Sequence, residues 1–173
     1  GNSGIYPFHM PGHKRQKTVD FNPYKIDITE IEGFDNLHHA EGVLLVAQKK
    51  AEKLYGSEES HFLINGSTAG ILSAVSACAK KTVLIARNCH KAVYHAALIR
   101  NLDVYYVYPE IQEEFMLNGG INPADVERSL EEHPEIEAVV ITSPTYDGIV
   151  SDVKRIAEIA HAHKKPLIVD EAH

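Results

Sequence analysis

From residue 61 onward the chain alternates between short apolar runs and longer segments with helical spacing. The runs His61–Ile64, Val83–Ala86, Val104–Val107, Ala138–Thr142 and Leu167–Val169 have the length and apolar character of buried strands. Helical segments lie between them, over Thr68–Ala79, His90–Arg100, Pro123–Glu132 and Asp152–His163. Two helix starts are clearly signalled. Asn122-Pro123 sets a capping side chain before a proline in the first turn, and Ser151-Asp152 offers a second cap. Strands that are apolar throughout, rather than alternating, are covered on both sides. The pattern therefore predicts an α/β fold, a mostly parallel sheet with helices on both faces.

The pattern before residue 61 is different. The stretch from Gly1 to Leu37 is rich in glycine, proline and charge, shows no sustained period, and contains a turn signal at Pro11-Gly12. It reads as an amino-terminal arm over residues 1–37, ahead of a domain over residues 38–173. A helix is predicted over Val43–Tyr55, with Val43, Val46, Ala47 and Leu54 on one side. Gly56 is placed to end it in a left-handed cap.

Composition narrows the function classes. Seventeen basic against 24 acidic side chains give a net charge of -7 with no polybasic stretch, which disfavours nucleic acid or an anionic membrane as partner. No apolar run is long enough to span a bilayer, and the polar start lacks a signal peptide's apolar stretch. A soluble, cytoplasmic protein is the expectation. Cys78 and Cys89 fit no metal or redox spacing. The chain holds 11 histidines, but His38-His39 are adjacent and His161/His163 lie two apart. Neither pair has the i, i+4 spacing that sets two imidazoles on one helical face, so no metal is expected.

In such a sheet, ligands sit beyond the carboxyl ends of the strands. Four segments fall there: Asn65-Gly66-Ser67-Thr68-Ala69-Gly70, Arg87-Asn88-Cys89-His90-Lys91, Ser143-Pro144-Thr145-Tyr146-Asp147-Gly148 and Asp170-Glu171-Ala172-His173. In the first, small residues, exposed helix amides and the hydroxyls of Ser67 and Thr68 suit an anion; a plain helix cap by Ser67 would look the same. His90 offers a flat imidazole, or is simply a capping or surface histidine. Asp170 offers a carboxylate, or only caps a turn. Taken together, an anion turn, a flat ring and a carboxylate are the parts that hold pyridoxal phosphate. There the carboxylate keeps the pyridine nitrogen protonated so that the ring accepts electron density. Asp170-Glu171-Ala172-His173 after an apolar strand also matches the Walker B end of helicase-type ATPases. That reading requires a Gly-Lys-Ser/Thr loop upstream, and the sequence contains no Gly-Lys dipeptide.

These residues, with Pro7-Phe8-His9-Met10-Pro11-Gly12-His13-Lys14, Asp27-Ile28-Thr29-Glu30 and Gly33-Phe34-Asp35-Asn36-Leu37-His38, carry a resemblance over nearly the whole chain. It resembles the amino-terminal part of the bacterial ornithine/lysine/arginine decarboxylases, pyridoxal-phosphate enzymes with the aspartate-aminotransferase fold. The resemblance implies that Ser67 and Thr68 bind the cofactor phosphate and that His90 lies on the ring face. It implies that Asp170 pairs with the pyridine nitrogen and that His173 lies near the phenolic oxygen. His90 and Asp170 are then the catalytic pair. Thr145 and Tyr146 remain open as pocket residues. The implied protein is a homo-oligomer whose arm around His9–Lys14 joins a pocket shaped partly by a second subunit. Its implied reaction releases carbon dioxide from arginine, lysine or ornithine, giving a polyamine or its precursor.

The family's covalent lysine follows this aspartate in a Ser-x-His-Lys segment, and no lysine follows Asp170 in this sequence. Lys164 and Lys165 precede the last predicted strand, about 15 Å from the rim at ~3.3 Å per residue, and Lys91 should diverge from a ring faced by His90. The 173 residues alone are therefore expected to be inactive. Two alternatives stay open: an aminotransferase or carbon–sulfur lyase on the same fold, and a non-catalytic module that binds phosphate ligands. The resembled fold also implies that the strand at His61–Ile64 does not pair with the other four.

Overall fold

A computed structural model of the protein describes Asn22 and residues 34–172. The turn at Pro11-Gly12, the segment His9–Lys14 and His173 lie outside the described residues. The chain divides into two compact units, Gly1–Phe62 and Leu63–His173.

In the first unit, helix α1 spans Val43–Tyr55, as its pattern predicts, and ends at Gly56 with φ 66°. Its N-cap residue, Gly42, has no side chain to offer. Asp35 supplies the cap from a distance. Its Oδ1 accepts from the backbone N–H groups of Asn36 (2.9 Å) and Glu41 (3.0 Å), and its Oδ2 from Gly42 (2.9 Å) and Leu44 (2.7 Å). The amides at a helix start have no partner within the helix, and a carboxylate satisfies them with charge of the favourable sign. Those N–H groups, Glu41's foremost, hold the Asp35 pKa down to about 2.

The second unit runs α2 (Gly66–Cys78), β1 (Thr82–Ala86), α3 (Lys91–Arg100), β2 (Asp103–Val107), β3 (Pro109–Gln112), β4 (Leu117–Ile121), α4 (Pro123–Glu132), β5 (Ala138–Thr142), α5 (Val153–Ala162) and β6 (Leu167–Asp170). Four strands form one parallel sheet in the order β2-β1-β5-β6. Every residue of β1 and β5 is buried, which is why these strands are apolar throughout. From β1 the chain steps outward to β2, then returns to β5 on β1's other side and moves on to β6. With right-handed connections, that reversal sends α3 to one face of the sheet and α4 and α5 to the other. Accordingly α2 packs on α3, and α4 on α5.

Helix α4 opens with Asn122 Oδ1 accepting from the N–H of Ala124 at 3.0 Å, and α5 with Asp152 Oδ1 accepting from that of Arg155 at 3.0 Å. Glu137 fixes the opposite rim. Its Oε2 accepts from the amides of Lys80 (2.7 Å), Lys81 (2.6 Å) and Thr82 (3.1 Å), where α2 turns into β1. Those amides, Lys81's first, lower its pKa.

Two features depart from the sequence expectation. Residues His61–Ile64 form no strand: they are exposed, and a turn begins at Ile64. No strand among the described residues pairs with them, and an extended apolar run without a pairing partner leaves its amides and carbonyls to water. Conversely, β3 and β4 form an antiparallel hairpin that the pattern did not announce. Gly119 makes room for it, since a Cβ there would stand 2.9 Å from the carbonyl oxygen of Glu110. The Ser151 hydroxyl ties the hairpin to the loop after β5 by accepting from the N–H of Ile121 at 2.9 Å.

Candidate functional site

The reversal of strand order lies between β1 and β5. In open α/β sheets a crevice forms at such a switch point, beyond the carboxyl ends of the strands. The residues just past β1 and at the end of β5 therefore line the candidate site. The two buried side-chain oxygens that lack a hydrogen-bond partner among the described residues stand there: Asn88 Oδ1 after β1, and Thr142 Oγ1 at the end of β5. Leaving such a group unpaired costs about 1–3 kcal/mol. Both residues stand at the carboxyl ends of the two strands that flank the strand-order reversal.

Asp170 ends β6 next door. Cα pairing sets it opposite Thr142, and its carbonyl extends the ladder by accepting from the N–H of Ser143 at 3.1 Å. Its side chain is 7% exposed, and Oδ1 accepts from the N–H of Ala172 at 3.2 Å. A buried carboxylate at the rim, held by one backbone amide, suits a ligand that presents a protonated nitrogen.

Cys89 joins the two sides of the crevice. Its thiol donates to the carbonyl of Val140 in β5 across 3.7 Å. Burial pushes its pKa up to about 11; the nearby Thr142 hydroxyl works against this rise, and the Asp170 charge adds to it. Cys89 thus lies near Thr142 and within the reach of the Asp170 charge. The thiol hydrogen goes to Val140, and Thr142 Oγ1 has no partner within hydrogen-bond geometry among the described residues.

His90 follows directly and is the N-cap of α3, its Nδ1 accepting from the N–H of Ala92 at 3.2 Å. The cap fixes the ring at the rim in the tautomer that carries its hydrogen on Nε2. Arg87, at the end of the same strand, is engaged elsewhere. It donates to the Tyr94 hydroxyl at 2.9 Å, and its guanidinium lies 5.4 Å from the Tyr94 ring centroid and 5.5 Å from that of Tyr106.

Ser67 and Thr68 lie in the first turn of α2, which starts two residues earlier than its pattern predicts. Only Ala79–Lys81 separate α2 from β1, so the helix runs antiparallel to the strand and delivers its N-terminus to the rim where β1 ends. Thirteen helical residues at ~1.5 Å and five strand residues at ~3.3 Å match in length. The N-cap Asn65 makes no side-chain cap, and Ser67 and Thr68 are exposed.

His90 follows β1 and Asp170 ends β6, Ser67 and Thr68 lie in the first turn of α2, and no hydrogen bond joins any two of the four. His173 lies outside the described residues. Thr145 is turned into its own loop, where its hydroxyl accepts from the N–H of Ile149 at 3.1 Å, while Tyr146 is exposed. Lys165 sits at the opposite end of β6 and donates to the carbonyl of Pro134 at 2.9 Å. Sequence reasoning passed over Thr142 and Asn88. A polar residue closing an otherwise apolar strand was the available signal for Thr142. No group of residues able to hold a metal ion occurs among the described residues, nor any helix long and apolar enough to cross a membrane.

Fold and topology together define an α/β domain with a parallel sheet whose strand order reverses between β1 and β5. The family model for the Orn/Lys/Arg decarboxylase major domain matches residues 2–173, and the chain belongs to that family. It is 38% identical over 178 residues to the uncharacterized protein YaaO of Bacillus subtilis, covering 97% of this chain and 37% of that protein. To the arginine decarboxylase of the same organism it is 33% identical over 176 residues, covering 96% and 36%. The chain spans a little over a third of the length of these relatives. Among solved structures, the pyridoxal-phosphate-bound C–S lyase from Staphylococcus hominis superposes with TM-score 0.59 at 16% identity, over 86% of this chain and 38% of that one. The fold is thus that of the pyridoxal-phosphate enzymes.

Proposed function

We propose that this chain is the amino-terminal, cofactor-holding part of a pyridoxal-phosphate-dependent decarboxylase acting on arginine, lysine or ornithine. The observation that supports it most is the buried Asp170 at the end of β6, next to the switch-point strand β5 and paired there with Thr142, whose hydroxyl has no hydrogen-bond partner among the described residues. When bound, pyridoxal phosphate supplies a ring that takes up the electrons released as carbon dioxide leaves.

In this reading the residues divide the work. Ser67, Thr68 and the first amides of α2 donate to the phosphate. His90, held by its cap, covers one face of the ring and keeps water from it. Asp170 would keep a proton on the pyridine nitrogen. The lysine that would hold the cofactor covalently is expected after Asp170, where the given residues contain none. The complete protein is a cytoplasmic homo-oligomer whose product is a polyamine or its precursor.

The test is to incubate the full-length protein and cofactor with arginine, lysine and ornithine in turn, measuring carbon dioxide and amine. Stoichiometric release of both from one of the three is the expected result. Transamination or carbon–sulfur cleavage instead would make it a different enzyme on the same fold. Cofactor binding without turnover of any amino acid would make it a non-catalytic binding module.

A further inference from the structure

We infer that Thr142 is a positioning residue for Asp170: on cofactor binding its hydroxyl donates to the Asp170 carboxylate and fixes the direction in which that group points. The inference rests on the proposed cofactor site. The two residues are Cα partners in the last register of β5 and β6. Neighbouring parallel strands lie about 4.8 Å apart, and paired residues project from the same face of the sheet. Both are buried to the same degree, 7% exposed. Cys89 lies near both groups: the Thr142 hydroxyl and the Asp170 charge each act on its thiol.

Chemistry assigns the roles. An ionised carboxylate only accepts hydrogen bonds, and Asp170 Oδ1 already takes one from Ala172. A threonine hydroxyl carries one donor that turns freely about the C–O bond, and the hydroxyl of Thr142 has no partner among the described residues. The other side chain near it, Cys89, spends its hydrogen on Val140. A buried hydroxyl with no closer acceptor than a thiol sulfur, paired in register with a buried carboxylate, is a contact held in reserve. It forms when Asp170 turns to meet a protonated ring nitrogen, and it restrains a carboxylate otherwise held by a single backbone amide.

The test uses the full-length protein and three variants: Thr142→Val, Thr142→Ser and Asp170→Asn. It reads melting temperature without cofactor, the cofactor dissociation constant from the visible absorbance, and kcat and KM separately. Valine keeps the shape and removes a hydroxyl that is unpaired without cofactor, so the Thr142→Val apoprotein should melt no lower than wild type. It should nevertheless bind cofactor about tenfold more weakly, which corresponds to one lost hydrogen bond. Its kcat should fall with KM little changed, and Thr142→Ser should recover most of both losses.

Wild-type cofactor affinity in Thr142→Val would overturn the inference. So would a lower apoprotein melting temperature that serine fails to restore, since that is a packing role. If Asp170→Asn also binds cofactor as wild type does, or wild type binds none, the site reading itself fails and the inference falls with it.

Discussion

Glu137 and Thr82 hold each other twice at the amino rim of the sheet: the Thr82 amide donates to Glu137 Oε2 at 3.1 Å, and the Glu137 amide donates to the Thr82 carbonyl at 3.0 Å. This pair fixes where α2 ends and β1 begins. It therefore also fixes where, one helix length away, the first turn of α2 meets the opposite rim. The candidate site is set from the far end of the domain.

Replacing Glu137 by alanine should lower the melting temperature by several degrees, because three backbone amides lose their acceptor at once. Thermal unfolding followed by circular dichroism measures it. A melting temperature equal to wild type would mean that water replaces the carboxylate without cost.

Asp35 should behave as a pH-dependent cap. Its folded pKa of about 2 lies below the ordinary 3.8. Its contribution is therefore complete above about pH 4 and is lost as pH falls through about 2. The amide resonances of Glu41, Gly42 and Leu44 should titrate together with that low midpoint, and Asp35→Asn should abolish the titration. A midpoint near 3.8 would show that the four amides do not hold the carboxylate.

The hairpin offers a steric test. Gly119→Ala sets a methyl group 2.9 Å from the Glu110 carbonyl oxygen, and backbone cannot move aside as a side-chain tip can. Overpacking of this kind costs about 1–3 kcal/mol, read from denaturant unfolding. A neutral substitution would indicate that β3 and β4 separate easily.

At the site, Asp170→Ala in the full-length protein should reduce turnover by several orders of magnitude by removing the counter-ion of the protonated ring nitrogen. His90→Ala should cost less. The ring contributes stacking worth about 1 kcal/mol and a helix cap of similar size, neither of which moves electrons. Steady-state kinetics on both variants gives the order. Near-normal turnover in Asp170→Ala would remove Asp170 from its assigned role.

The parallel core was legible because strands buried throughout, β1 and β5, are almost wholly apolar. Leu167–Val169 is only partly buried but equally apolar, and its predicted span fell short only by Asp170. The capped helices were legible because Asn122 and Asp152 act on their immediate neighbours. Asp35 was not, since it caps a helix that begins eight residues later, and that reach has no local pattern. The hairpin was hidden for a similar reason: Glu113-Glu114 and Asn118-Gly119-Gly120 carry no alternation, and Ser151 secures it from a distant loop. His61–Ile64 misled in the other direction, because apolar content specifies a strand only where another strand stands ready to pair. The places of His90, capping α3 just past β1, and of Asp170, closing β6, could be read from the strands before them. Thr142 emerges only from the register that sets it against Asp170.

The central claim is that this rim holds pyridoxal phosphate for a lysine supplied from beyond His173. The most direct measurement is borohydride reduction of the cofactor-loaded full-length protein, followed by mass mapping of the labelled peptide. The account predicts one stoichiometric label, on a lysine after His173, and none on Lys91, Lys164 or Lys165. A label on any of those three, or no stoichiometric label at all, would contradict it.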